Sequence, residues 1–223
     1  MKTIFNIQNE SDFQAACLET FRYQYENVEV YRKFVDFLNV NVDKIDKIEK
    51  IPFLPIEMFK NHLILDANST AEKYFQSSGT TQMLNRSKHY IADFGLYEES
   101  IYRSFEQFIG KPEDFIFLGL LPNYSENPHS SLIYMVDFLM KKSEKPENGY
   151  FLYNHAEIFD LLQGLKDKKV ILFGVSFALL DFLDFCHAEV LEASSKISEQ
   201  SEESLSKINL FGLSDFTIIE TGG

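Results

Sequence analysis

Residues 114–122, DFIFLGLLP, and 169–176, KVILFGVS, are apolar almost without a break over the length of a strand. An alternating strand can leave one face to water, whereas a continuous apolar run has no such face and must be covered on both sides. Helix-length stretches stand between and after these runs: 131–142 (SLIYMVDFLMKK), 156–167 (AEIFDLLQGLKD) and 177–193 (FALLDFLDFCHAEVLEA). AEKYFQ (71–76), GYFLYN (149–154) and INLFGLSDFTIIE (208–220) read as further strand material. Strands alternating with helices in this way predict an α/β fold with a mostly parallel sheet covered by helices.

The first third follows a different period. Asn9 or Ser11 can cap a helix in which Phe13, Ala16, Cys17, Phe21 and Tyr25 recur at three- and four-residue spacing, and Tyr31, Phe34, Val35 and Leu38 repeat the pattern. Pro52 and Pro55 forbid a continuous helix through IPFLPIEMFKN and predict an extended path before a short element around 57–60. Residues 93–110 read as a helix capped by Asp93 with Gly110 near its end. The expected organisation is a helical N-terminal segment, 1–60, packed on an α/β portion, 61–223. The polar stretch 194–207, SSKISEQSEESLSK, reads as a solvated loop or helix end.

Composition excludes some functions. With 34 Asp and Glu against 21 Lys and Arg, the net charge of −13 disfavours nucleic acid and anionic membrane surfaces, both of which select clustered cations. The N-terminus turns polar too early for a signal peptide, and the longest apolar tract, from Val170, is too short to span a bilayer. A cytoplasmic protein without membrane insertion is expected. Cys17 and Cys186 fall within apolar helical patterns and read as buried thiols rather than a disulfide.

Between the aromatic pair Tyr74–Phe75 and the basic Arg86 and Lys88 lie Ser77, Ser78, Gly79, Thr80 and Thr81. A strand, this hydroxyl loop and a following helix form an anion cradle, since N–H groups and hydroxyls can donate to phosphate oxygens; a capped surface turn is the alternative. The loop lacks the Gly-Lys-Ser/Thr ending of a Walker A motif and the glycine spacing of a dinucleotide fingerprint. A second candidate is the turn Gly174-Val175-Ser176 after a buried strand, where backbone can approach a ligand, or where Ser176 simply caps the next helix. His129, before Ser130 and Ser131 at a helix start, is a third; a solvated loop imidazole is the alternative. His62, His89, His155 and His187 form no metal-ligand spacing, so no protein-held metal is expected.

YFQSSGTTQ (74–82) resembles the Ser-Ser-Gly-Thr-Thr-Gly signature of adenylate-forming enzymes, with Gln82 where Gly is usual. More specifically, IPFLPIEMFK, SSGTT with RSKHYIAD, SSLIYMVDFLM, ILFGVSFALLDFL and TIIETGG, in this order, resemble the acyl-protein synthetase family, whose LuxE-like bioluminescence member activates a fatty acid for reduction to aldehyde. The resemblance implies the large N-terminal domain of an adenylate-forming enzyme. It further implies that Ser77, Ser78, Gly79, Thr80, Thr81, Gln82 and Arg86 hold the phosphates of ATP, with Mg²⁺ leaving on pyrophosphate. Gly174, Val175 and Ser176, with His129, Ser130 and Ser131, would border the acyl group, and Glu220, Thr221, Gly222 and Gly223 the adenine. A carboxylic acid is the implied substrate, and an acyl reductase or acyl-acceptor protein the implied partner.

Glu220 to Gly223 match the start of a motif that continues in relatives, so the resemblance implies a chain that stops short of the family's acidic block, late lysine and small C-terminal domain. Two functional readings follow. One is the large-domain part of an ATP-dependent synthetase that makes an acyl-adenylate for transfer to a thiol; the other is a non-catalytic acyl- or nucleotide-binding subunit of an acyl-transfer or reductase complex.

Overall fold

The computed structural model describes residues 2–71, 73–77, 86–123, 125–196 and 215–221. These form two compact units, Met1–Tyr97 with His129–Ser131, and Glu98–Pro128 with Leu132–Gly223. The N-terminal helices therefore share a unit with the chain up to residue 97, and residue 60 lies inside it.

In the first unit, α1 (Glu10–Asn27) begins where the Asn9 side chain accepts from the Asp12 N–H at 3.0 Å, and α2 (Glu29–Phe37) follows after Val28. Phe21, Val28, Tyr31, Val35 and Ile45 make one buried cluster. The Tyr31 ring meets Phe21 edge-on at 6.2 Å, and its hydroxyl donates to the Pro52 carbonyl at 2.7 Å, which ties the proline segment to the helix pair. Past Pro55 the chain turns into the short α3 (Met58–Asn61). Cys17, expected to be buried, is only half-buried.

β1 (Lys73–Gln76) pairs antiparallel with β2 (Lys88–Ile91) as a two-stranded sheet. This changes the expected strand–loop–helix order: a second strand returns along the first before α4 (Phe94–Phe108) begins. Asp93 does cap that helix, accepting from the Leu96 N–H at 3.0 Å, and Gly110 adopts φ +141° just past its end. On one face of the hairpin Phe75 is buried against Phe94 and Tyr97.

The second unit is built on a parallel sheet of order β4-β3-β5-β6, from β3 (Phe115–Leu120), β4 (Gly149–Tyr150), β5 (Lys169–Gly174) and β6 (Asp215–Glu220). The connecting helices are α5 (Ser131–Ser143), α6 (His155–Gly164) and α7 (Ser176–Lys196). Period-two geometry explains the unbroken apolar runs. Ile116, Leu118, Leu120, Val170 and Leu172 pack with Ile158 and Leu162 of α6 and with Phe182 and Cys186 of α7. Phe115, Phe117, Ile171 and Phe173 pack with Phe105 of α4 and with Val136 and Leu139 of α5. Each face thus has its own core, and the α/β fold with a parallel sheet is the one the sequence predicts.

β4 is shorter than GYFLYN suggests, because the chain leaves the ladder once the Phe151 N–H has donated to Gly119 at 2.7 Å. Asn148 closes the start of the sheet. Its Oδ1 accepts from the Phe117 N–H at 2.8 Å while its Nδ2 donates to the Met140 carbonyl at 3.0 Å and to Ser143 Oγ at 3.1 Å. α7 runs to Lys196, so the polar stretch 194–207 begins as a helix end, and residues 197–207 and 208–214 lie outside the described residues. Among the described residues, no helix is long and apolar enough to cross a membrane.

Candidate functional site

The hydroxyl loop leaves the end of β1. Ser78, Gly79, Thr80, Thr81 and Gln82 lie outside the described residues, whereas its base is defined on both sides. Ser77 N–H donates to the Ser87 carbonyl at 3.1 Å, and Ser87 N–H donates to Ser77 Oγ at 3.2 Å. This reciprocal pair extends the β1–β2 ladder by one rung and fixes where the loop starts and ends. Ser77 Oγ acts here as an acceptor, so its own O–H proton can still point to a ligand. Arg86, next to Ser87, is exposed.

His129 lies at the base of the same hairpin. Its carbonyl accepts from the Gln76 N–H at 2.9 Å, its Nδ1 is 3.2 Å from the Tyr74 carbonyl, and its ring stacks on Tyr74 with centroids 4.3 Å apart and planes 7° apart. Lys88 Nζ is 5.1 Å from the centre of the Tyr74 ring, and Tyr90 lies across the ladder from Tyr74 at 5.4 Å. One face of the hairpin thus buries Phe75, and the other carries Tyr74, Lys88, Tyr90 and the docked imidazole. Ser131 opens α5 and Ser130 precedes it. Ser77 and His129, read separately from the sequence, are therefore placed by the same short strand: Ser77 follows β1, and His129 is bonded to Tyr74 and Gln76 within it.

Tyr74 and Ser87 carry this arrangement, and sequence reasoning had assigned them no role. The period-two placement of Tyr74, Gln76, Lys88 and Tyr90 is a signal that finds the shared face once the strands are paired. The attachment of His129 has no local signal, since its partner lies 55 residues away in sequence.

A second cluster sits at the carboxyl edge of the parallel sheet. Thr221 donates twice to the Gly174 carbonyl, through its N–H at 3.0 Å and its Oγ1 at 3.1 Å. Ser176, the first residue of α7, donates from Oγ to Glu220 Oε1 at 2.5 Å. Its hydroxyl is thereby directed across the strand ends instead of capping its own helix. A Cβ at Gly174 would come within 2.8 Å of Leu179 Cγ, so the turn admits no side chain without repacking. Gly174, Ser176, Glu220 and Thr221 are brought together, with Val175 half-buried between them, while Gly222 and Gly223 lie outside the described residues. The result is an acceptor-rich edge, a carboxylate beside a hydroxyl, suited to a ligand that offers N–H or O–H donors.

Titration follows burial. The buried Cys186 thiol is pushed up to about 11 by desolvation, and the Tyr31 phenol to about 12. Among the described residues, no three His, Cys, Asp or Glu side chains converge on a metal-sized site.

Residues 4–89 match the family model described as "Acyl-protein synthetase, LuxE". No curated protein matches the chain. The matched stretch contains the N-terminal helix pair, the proline segment, both hairpin strands up to His89 and the whole hydroxyl loop. Over that stretch, from the first helices through the loop at the hairpin tip, the chain carries the sequence pattern of the LuxE acyl-protein synthetases.

Proposed function

We propose that this chain takes part in the ATP-dependent activation of a carboxylic acid, a fatty acid being the expected class, as an acyl-adenylate whose acyl group then passes to a thiol. The observation that carries the reading is that the stretch matching the acyl-protein synthetases includes the hydroxyl loop, closed at its base by the Ser77–Ser87 pair.

In this reading Ser77 to Thr81, with Gln82, surround the phosphates, and their N–H and O–H groups offset the charge that builds on the α-phosphate as the carboxylate oxygen attacks it. Arg86, which follows the loop in sequence, adds positive charge. Mg²⁺, carried on the phosphates, neutralises the departing pyrophosphate. At the sheet edge, Glu220 and Thr221 are suited to accept donors of a nucleoside. The transfer requires a thiol acceptor, and an acyl reductase or another acyl-acceptor protein is the expected partner.

Carboxylate-dependent ATP–pyrophosphate exchange, measured on the full natural protein over a panel of fatty and aromatic acids, tests the reading. Exchange with one class of acid supports it and names the substrate. Thr80→Ala should lower that exchange by about 10²-fold with little change in unfolding midpoint, as expected when one donor to the developing charge is removed. Nucleotide or acyl binding without exchange would favour the non-catalytic subunit.

A further inference from the structure

We infer that Ser77 is a positioning residue whose hydroxyl takes the ladder place of its own carbonyl, a role that rests on the proposed ATP-dependent activation. In an antiparallel pair, residues alternately exchange both main-chain bonds with the partner strand and turn both groups away from it. On β1, Gln76 turns away: its N–H donates to the His129 carbonyl at 2.9 Å. Tyr74, two residues earlier, turns its carbonyl toward His129 Nδ1 at 3.2 Å. Ser77 therefore faces β2, opposite Ser87, one step beyond the Gln76–Lys88 pair. Regular pairing would run from N–H to carbonyl in both directions.

Only one direction is regular. Ser77 N–H donates to the Ser87 carbonyl at 3.1 Å, but Ser87 N–H donates to Ser77 Oγ at 3.2 Å instead of to the Ser77 carbonyl. Ser87 is buried, 5% exposed, and a buried N–H needs an acceptor. The hydroxyl supplies one, so the carbonyl is released from the ladder where the hydroxyl loop begins. The peptide after Ser77 can then turn out of the strand while the Ser87 donor stays satisfied.

A side chain without an oxygen on Cβ offers no such substitute. In Ser77→Ala the Ser87 N–H would draw in the carbonyl of residue 77, and the chain would leave the strand one peptide later. Among the residues proposed to surround the phosphates, Ser77 thus has its own part, which is to set the direction in which the others depart.

The test has two arms. Scalar couplings across hydrogen bonds, read by NMR between a donor nitrogen and the carbonyl carbon it bonds, should join the Ser77 nitrogen to the Ser87 carbonyl carbon and not the reverse. Ser77→Ala should create the reverse coupling; its presence in the unmodified protein, or its absence in the variant, overturns the inference. In the full natural protein, Ser77→Ala should lower carboxylate-dependent pyrophosphate exchange by about 10²-fold, as a misplacement of about 1 Å does. Replacing the Ser87 N–H by an ester oxygen, through semisynthesis with the hydroxy-acid analogue of serine, should cost a similar factor. The two changes together should lose no more than about threefold beyond the larger single loss. Losses that multiply to about 10⁴-fold mean that Ser77 acts on the phosphates directly, and they overturn the positioning role. A parent without exchange refutes the proposed function, whereas the couplings hold or fail without it, which separates the two failures.

Discussion

The hairpin and the parallel sheet place chemistry in opposite ways. In β3 and β5 both faces are core, so every residue from Phe115 to Leu120 and from Val170 to Gly174 is buried. Polar side chains appear beyond the ends of these strands: Ser176 follows β5, beside Glu220 and Thr221 at the end of the neighbouring β6. In the hairpin only the Phe75 face is core, so Tyr74 and Lys88 present aromatic and cationic groups along the strand itself. A doubly covered sheet positions a site by its edge and a singly covered one by its face.

Deleting a large ring should expose that difference most strongly. Phe117, fully buried among Phe105, Phe115 and Phe173, should cost about 3–5 kcal/mol as Phe117→Ala, whereas Tyr74→Ala should cost about 0.5–1.5 kcal/mol. Urea unfolding midpoints measure both, and equal losses would break the comparison. Asn148→Ala leaves the Phe117 N–H without its acceptor and should cost about 1–3 kcal/mol by the same measurement; the Met140 carbonyl keeps the Glu144 N–H as a donor.

The smallest effect separates the units by pH. Burial raises the Cys186 thiol from 9.0 to about 11, so the unfolded chain releases this proton first; its contribution is intact below pH 9 and is lost as pH rises through 11. Tyr31, raised from 10.0 to about 12, follows the same sign one unit higher. Stability measured against pH should flatten between 9 and 11 in Cys186→Ala and between 10 and 12 in Tyr31→Phe. At neutral pH, Cys17 should be alkylated before Cys186, since one is half-buried and the other buried.

The parallel sheet was legible because burial on both faces writes itself as an unbroken apolar run. Asn9, Asp93, Pro52, Pro55 and Gly110 were legible because each acts on its own backbone within a few residues. β2 was not: KHYI mixes a cation and an imidazole into four residues, and only its register with Lys73–Gln76 makes it a strand. The extent of β4 depends on where Phe151 leaves Gly119, a tertiary decision. At the candidate sites, composition drew attention to the loop, Gly174 and His129, but neither the tie of His129 to Tyr74 nor the bond from Ser176 to Glu220 can be inferred from neighbours in sequence. Such pairings exist only once distant strands have been placed.

The reciprocal Ser77–Ser87 pair has a consequence for how this protein could diversify. Because the last rung of the ladder lies at the loop's base, residues 78–86 can change in chemistry, and even in number, without altering the register of Lys73–Gln76 against Lys88–Ile91. The strands act as a fixed socket, so the sequence between Ser77 and Ser87 can vary while the paired strands keep their register.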